Sequence, residues 1–328
     1  MKNYITVGTL AEYLHCPVLG NKEKKIYKIS LFEESTEDSL TYVPYDKIDS
    51  IAEIKAGAIL TKASIGLPLH RNYIVTRHDP YALLAQTVQF LIYHELYHVP
   101  NQEKSQISDS CQIGKFVSIG NGSVIEADTV ISDGVVIGEN VRIGNDCFIG
   151  ANTVIGSDTI IGDNTDIGAC CNIGTENFEY YQTPDRWIKI PAVGSVEIGQ
   201  SVRISGNVVI EKGTIGITRI GSYSQIDNLV QVGHEVKIGE NCHIVACVAL
   251  AGWAEIGNHV TIYGQSAVSN RIKVGDNAVL LARSGVDKDI AENQIVSGFP
   301  AQNHQQEMRF QAFLRKLFKS NLKGRERK

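Results

Sequence analysis

The chain has 328 residues, 43% of them hydrophobic, and a formal net charge of -5. That length predicts two or three structural units, and an acidic balance with no sustained basic stripe argues against a nucleic-acid partner. No apolar run reaches the roughly 20 residues of a membrane span, and Met1-Lys2-Asn3-Tyr4-Ile5 lacks the apolar core of a signal peptide, so a cytoplasmic protein is expected.

Residues 1–100 follow no long-range period. Thr9-Leu10-Ala11-Glu12-Tyr13-Leu14 predicts a short helix with a threonine near its start. Gly57-Ala58-Ile59-Leu60 and Asn72-Tyr73-Ile74-Val75 predict buried strands. Asp79-Pro80 predicts a cap and first turn for a helix running to Tyr93. These elements describe a small α/β domain. Its Tyr42 and Tyr45 are candidates for stacking on a planar ligand, with core packing as the alternative. The mostly polar residues 101–110 read as a linker.

From Ile113 an aliphatic residue returns at every sixth position to Ile173, and again from Ile220 to Leu280, often followed by glycine. That period belongs neither to a helix nor to an alternating strand. It is the hexapeptide signature of a left-handed parallel β-helix, expected over residues 111–301. About 25 hexapeptides, three to a coil, predict roughly eight coils and a prism on the order of 40 Å tall. Residues 176–195 break the period and read as a loop inserted into a continuing helix, and Gly213 to Thr218 read as a smaller slip. Cys111, Cys147, Cys171 and Cys242 fall four places after a repeat aliphatic, where a small buried residue fits. With no C-x-x-C motif, no metal site is expected. Residues 302–328 predict a basic amphipathic helix, with Phe310, Phe313, Leu314, Leu317 and Phe318 beside Arg309, Arg315, Lys316 and Lys319. It reads as a capping or trimer-packing helix, or as a docking surface for an acidic partner.

The stretch expected to carry chemistry is Asp227-Asn228-Leu229-Val230-Gln231-Val232-Gly233-His234. His234 lies two places after a repeat aliphatic, where side chains leave the coil interior, and imidazole suits a general base near neutral pH. One coil is 18 residues, so Gly252 is expected to stack on His234, where a bare backbone N–H can meet an oxyanion. Asp227 is a candidate to orient the imidazole; its other reading is a turn residue capping Asn228.

Four motifs in this order are similar to the UDP-3-O-acylglucosamine N-acyltransferases of lipid A synthesis: Lys189-Ile190-Pro191, Ile226-Asp227-Asn228, Gln231-Val232-Gly233-His234 and Ser297-Gly298-Phe299-Pro300-Ala301. The resemblance covers nearly the whole chain. It implies a homotrimer that moves a 3-hydroxyacyl chain from acyl carrier protein to the 2-amino group of a UDP-linked glucosamine, with sites in clefts between adjacent β-helices. His234 would be the base, Asp227 its partner and the Gly252 N–H the oxyanion donor. Uracil would stack on Tyr42 and Tyr45. Asn177, Phe178 and Tyr180 would line the substrate, and the motif residues Lys189, Asn228 and Gln231 would join them. No cofactor is implied beyond the carrier-protein thioester as co-substrate, and the C-terminal helix would suit an acidic carrier protein.

Several positions depart from the family's pattern. Arg271 replaces a second histidine and suits a diphosphate or pantetheine phosphate. Asn177-Phe178-Glu179-Tyr180 replaces Gly-Phe-Gly-Tyr, Glu211-Lys212-Gly213 replaces Asp-Arg-Gly, Glu235 follows the histidine where asparagine is usual, and Trp253 adjoins Gly252. Glu179 is expected to put a charge where substrate lies. The alternatives to the family reaction are a different sugar, a short-chain acyl-CoA donor, or a catalytically reduced homologue that only binds carrier protein.

Overall fold

The computed structural model describes residues 3–325 except 44–50, 52, 63–66, 69, 78, 98–100 and 299–303. Tyr45 and Phe299-Pro300-Ala301 therefore lie outside the described residues.

The six-residue period is realised as two-residue strands joined by turns. The first strand residue faces outward and the second is buried, as in Val124–Ile125 and Val136–Ile137. Three parallel sheets of nine, nine and ten strands form the faces of the prism, one or two rungs more than the repeat count predicts. One apolar column shows the stacking: Ile125, Ile143, Ile161, Ile198, Ile220, Ile238, Ile256 and Val274 pair in turn along one sheet. Partners are 18 residues apart except from Ile161 to Ile198, which are 37 apart (19 extra), and from Ile198 to Ile220, which are 22 apart (4 extra). The 176–195 insertion and the 213–218 slip thus leave this aliphatic column in register, with one shift in the adjoining sheet between Ile173 and Thr175. The helix begins earlier than expected: Gln106–Ile107, inside the stretch read as a linker, already pairs with Val124–Ile125. Its polar flanks hid a first hexapeptide.

Most turns put the third residue after the buried aliphatic in the left-handed region. Asn140, Asp146, Asn152, Asp158 and Asn164 do so with φ of 54–62°, which short amide and acid side chains tolerate best. Cys147, Cys171 and Cys242 are buried at the position expected of them, and burial raises each thiol's pKa.

The N-terminal domain is a five-stranded sheet in the order Val18–Leu19, Tyr73–Thr76, Ala58–Lys62, Ser39–Val43, Lys28–Ile29. Helix Leu84–Tyr93 packs on it, preceded by the 3-10 turn Pro80–Leu83, where the Tyr81 N–H donates to the Asp79 carboxylate at 3.0 Å. Its core of Leu10, Leu40, Leu60, Ile74, Leu84 and Leu91 continues into Ile190 of the inserted loop and Ile215 of the slip. Complete burial of one such side chain is worth roughly 1.5–3 kcal/mol, so both interruptions of the repeat anchor this domain. Arg219 adds ion pairs to Glu34 at 2.7 Å and Glu197 at 3.0 Å.

The C-terminal helix His304–Arg325 leaves Phe310, Phe313, Leu314, Leu317 and Phe318 exposed. Among the described residues, no helix is long and apolar enough to cross a membrane.

Candidate active site

Successive coils place Glu235, Trp253 and Arg271, 18 residues apart, at the left-handed position of one corner, with φ of 53, 65 and 64°. His234 and Gly252 precede the first two. At several other turns the N–H just before the left-handed residue is capped by a side chain of the next coil: Glu240 N–H by Asn258 at 2.9 Å, Asn258 N–H by Asp276 at 2.8 Å, Asn145 N–H by Asp163 at 2.7 Å; at others, Ser222 and Gly264 among them, it has no partner among the described residues. At the His234 corner that ladder is interrupted. The His234 N–H donates to Glu211 at 3.2 Å, and the Gly252 N–H has no partner among the described residues. The imidazole covers Gly252 instead, and a Cβ there would meet Nε2 at 2.5 Å and Cε1 at 2.6 Å.

His234 is only 7% exposed, because the inserted loop covers it; it does not project from an open face as its repeat position suggested. Its Nδ1 lies 2.6 Å from Glu235 Oε2 and 2.9 Å from Glu179 Oε2. Ionised carboxylates only accept, so Nδ1 carries the proton and Nε2 is the edge turned to Gly252. Glu235 Oε1 accepts from the backbone N–H groups of Ile215 at 3.1 Å and Gly216 at 3.2 Å, and the Glu235 N–H donates to Thr218 Oγ1 at 2.9 Å. Glu179 Oε1 accepts from the Tyr81 hydroxyl, and its Oε2 from Thr214 Oγ1 at 2.8 Å.

These contacts set the titration. Burial alone would lower the His234 pKa, but the hydrogen bonds and charges of Glu179 and Glu235 outweigh it and push the imidazole up to about 10. Burial would likewise raise Glu179, yet its bonds from His234, Tyr81 and Thr214 hold it below the usual carboxylate range. Burial, then the Glu179 charge, raises the Tyr81 phenol. Glu179, His234 and Glu235 are the one group among the described residues whose ligand-type atoms all lie within 4.8 Å. The separations from Nδ1 are those of hydrogen bonds, filled by a proton.

Beside this cluster a cavity of about 630 Å³ opens between the two domains, lined by Phe32, Tyr42, Tyr81, Trp253, Arg271 and Lys237 among others. The His234 and Trp253 rings meet edge-on at 6.4 Å, and the Arg271 guanidinium lies 5.0 Å over Trp253. The buried Trp253 Nε1–H has no hydrogen-bond partner, an uncompensated donor that an oxygen-bearing ligand would satisfy.

The structure brings His234, Gly252, Tyr42 and Arg271 to one region, and it corrects the role of Asp227. That carboxylate accepts from the Asn228 N–H and Nδ2 at 2.7 Å each and from the Ala246 N–H at 3.2 Å. It follows a strand of the ten-stranded sheet, whereas His234 follows a strand of a nine-stranded one, so the two sit at different corners. Nδ1 is served by Glu179 and Glu235 instead. Asn228 Oδ1 accepts from the Gly206 N–H at 3.1 Å, and Gln231 donates to Glu211 at 3.3 Å. Asn177 is buried, donating to Thr214 at 2.6 Å and accepting from Lys189 at 2.5 Å, while Phe178 is 79% exposed and meets Tyr180 edge-on at 5.1 Å. Glu179 was expected to intrude on substrate but turns inward onto the histidine. Sequence reasoning missed Glu179 and Glu235 as partners of His234. Adjacency could have pointed to Glu235; no spacing rule ties residue 179 to residue 234.

The chain matches the bacterial transferase hexapeptide (six repeats) family at residues 140–175 and 217–252. It is 37% identical over 323 residues to the UDP-3-O-acylglucosamine N-acyltransferase of Wolinella succinogenes, covering 96% of this chain and 99% of that protein. Identity to the enzyme of the same name from Campylobacter concisus is 40% over 309 residues, covering 92% and 96%. Among solved structures, the UDP-N-acetylglucosamine O-acyltransferase of Moraxella catarrhalis aligns with a TM-score of 0.47 and 29% identity, over 62% of this chain and 77% of that one.

Proposed function

The chain belongs to the UDP-3-O-acylglucosamine N-acyltransferase family, and on that premise we propose that it moves a 3-hydroxyacyl chain from acyl carrier protein to the 2-amino group of UDP-3-O-acylglucosamine in lipid A biosynthesis. The observation that carries this reading is the His234 Nε2 lying over Gly252, whose N–H has no partner among the described residues.

The acceptor nitrogen attacks the thioester carbon as Nε2 of the neutral imidazole, the minor form below about pH 10, removes its proton. The carbonyl oxygen gains negative charge and is met by the Gly252 N–H. The C–S bond then breaks, and the imidazolium returns the proton to the departing sulfur. Glu179 and Glu235 hold Nδ1–H throughout and balance the imidazolium charge. The neighbouring cavity suits the nucleotide sugar: Tyr42 and Trp253 offer ring faces, and Arg271 and Lys237 offer cations to the diphosphate. We assign the working unit as a homotrimer with the cleft shared between copies. The exposed apolar row of the C-terminal helix, beside Arg309, Arg315 and Lys316, would dock the acidic carrier protein.

The test is a mass-spectrometric assay of the purified chain with UDP-3-O-acylglucosamine and a panel of hydroxyacyl carrier proteins. A diacylated sugar nucleotide is expected, and the preferred donor reports the chain length. No product from any donor, with carrier-protein binding intact, would point to another acceptor or to a binding-only homologue.

A further inference from the structure

We propose that Glu179 is a positioning residue for this transfer, one that makes the orientation of His234 depend on how the N-terminal domain is seated. The proposal rests on the functional reading above and deepens it.

Glu179 is an acid on an inserted loop, and its neighbours Phe178 and Tyr180 are exposed while it is 8% exposed. Burying a carboxylate costs several kcal/mol unless its oxygens are satisfied, and here both are. Oε1 takes the Tyr81 hydroxyl of the N-terminal domain; Oε2 takes Thr214 Oγ1 of the slip at 2.8 Å and His234 Nδ1 at 2.9 Å. One carboxylate therefore gathers donors from three parts of the chain. The Tyr81 ring is itself held among aromatics, 6.0 Å from Tyr42 and 6.1 Å from Tyr181 of the same loop.

The other carboxylate on Nδ1 is held differently. Glu235 is fixed by backbone N–H groups of Ile215 and Gly216 and by Thr218, all in the 213–218 slip, and bonds no side chain of the N-terminal domain among the described residues. Its grip on the ring is set by the backbone of that slip. The grip of Glu179 is set by the loop and, through Tyr81, by the domain that also lines the cavity. A nucleotide entering that cavity meets Tyr81 and Tyr42, so its seating is transmitted to the buried side of the base. The charged and titratable groups around the cluster are Glu179 and Lys189 from the loop, Glu235 and Glu211 from the coils, Tyr42, Asp79 and Tyr81 from the N-terminal domain, and Arg271 from two coils above. Of these, Glu179 alone bonds both the base and the domain.

Glu179→Gln and Tyr81→Phe in the full chain test this by two readouts: the His234 imidazole titration, followed by NMR with histidine-selective labelling, and the pH profile of acyl transfer. For Glu179→Gln, the proton affinity of His234 should fall about tenfold, a full pH unit, and the basic-form limb of kcat/KM should move the same way. The loss should fall on kcat and not on KM. Tyr81→Phe should shift both in the same direction by less, and it serves alone if Glu179→Gln does not fold. An unmoved His234 midpoint in a folded variant overturns the contact. A midpoint moved by Glu179→Gln and not by Tyr81→Phe overturns the coupling to the domain. If the wild type forms no acylated product, the functional reading fails, while the titration still decides the link between Tyr81, Glu179 and His234.

Discussion

Two corners of the same β-helix differ in one respect. Where Glu240, Asn258 and Asp276 stack, the Glu240 and Asn258 N–H groups are each capped by the side chain of the next coil. Where His234 and Gly252 stack there is no such cap: the Gly252 N–H is left open among the described residues, and an imidazole lies over it. Open turn N–H groups occur at other positions too, Ser222 and Gly264 among them. What sets the His234 corner apart is that an open donor, an imidazole and an adjoining cavity lie in one place.

The comparison breaks most visibly at the histidine. His234→Ala is expected to lower kcat/KM for acyl transfer by about 10²–10⁴-fold, with a circular-dichroism spectrum unchanged from wild type. Retained turnover would remove the base. The next effect separates two acids. Glu235→Gln replaces an acceptor on Nδ1 and is expected to cost on the order of 10²-fold in kcat. Asp227→Asn alters only bonds to Asn228 and Ala246 and is expected to cost less than about threefold. Steady-state kinetics on the two proteins would restore Asp227 as the partner if their order were reversed.

These expectations also show what the sequence alone conveyed. The hexapeptide period announced the β-helix, the two interruptions and the stacking of Gly252 on His234, because each follows from counting along a fixed coil. The N-terminal sheet and its capped helix were legible from Asp79-Pro80 and the buried strands. The partner of His234 was not. Glu179 reaches it from a loop that breaks the period, and Tyr81 reaches Glu179 from another domain, so neither contact is encoded in any spacing. Asp227 looked suitable because it is near in sequence, but a corner separates it from the imidazole. The first hexapeptide at Gln106–Ile107 was hidden by its polar neighbours.

Smaller effects sharpen the picture of the cavity. Arg271→Ala removes the guanidinium over Trp253 and is expected to raise KM for the nucleotide sugar roughly tenfold, with kcat little changed. A fall in kcat at constant KM would place Arg271 with the chemistry instead of the nucleotide. Smallest is the effect of pH on stability. Folding raises the His234 pKa to about 10, so its contacts with Glu179 and Glu235 contribute fully below about 6.5, its ordinary value. That contribution is lost as pH rises through 10. Melting temperature should fall by a few degrees across this window, and the fall should shrink in His234→Gln. A wild-type fall no larger than the variant's would contradict the charge balance at Nδ1.

The most direct measurement compares two glycines at equivalent turns. A Cβ on Gly252 would lie 2.5 Å from His234 Nε2, whereas a Cβ on Gly264, at another corner, would meet the Ala246 carbonyl at 3.1 Å. Gly252→Ala should lose about 100-fold or more in kcat for acyl transfer, while Gly264→Ala stays within about threefold of wild type at a similar melting temperature. Equal losses, or equal retention, would mean that the His234 corner is not where the acyl group is transferred.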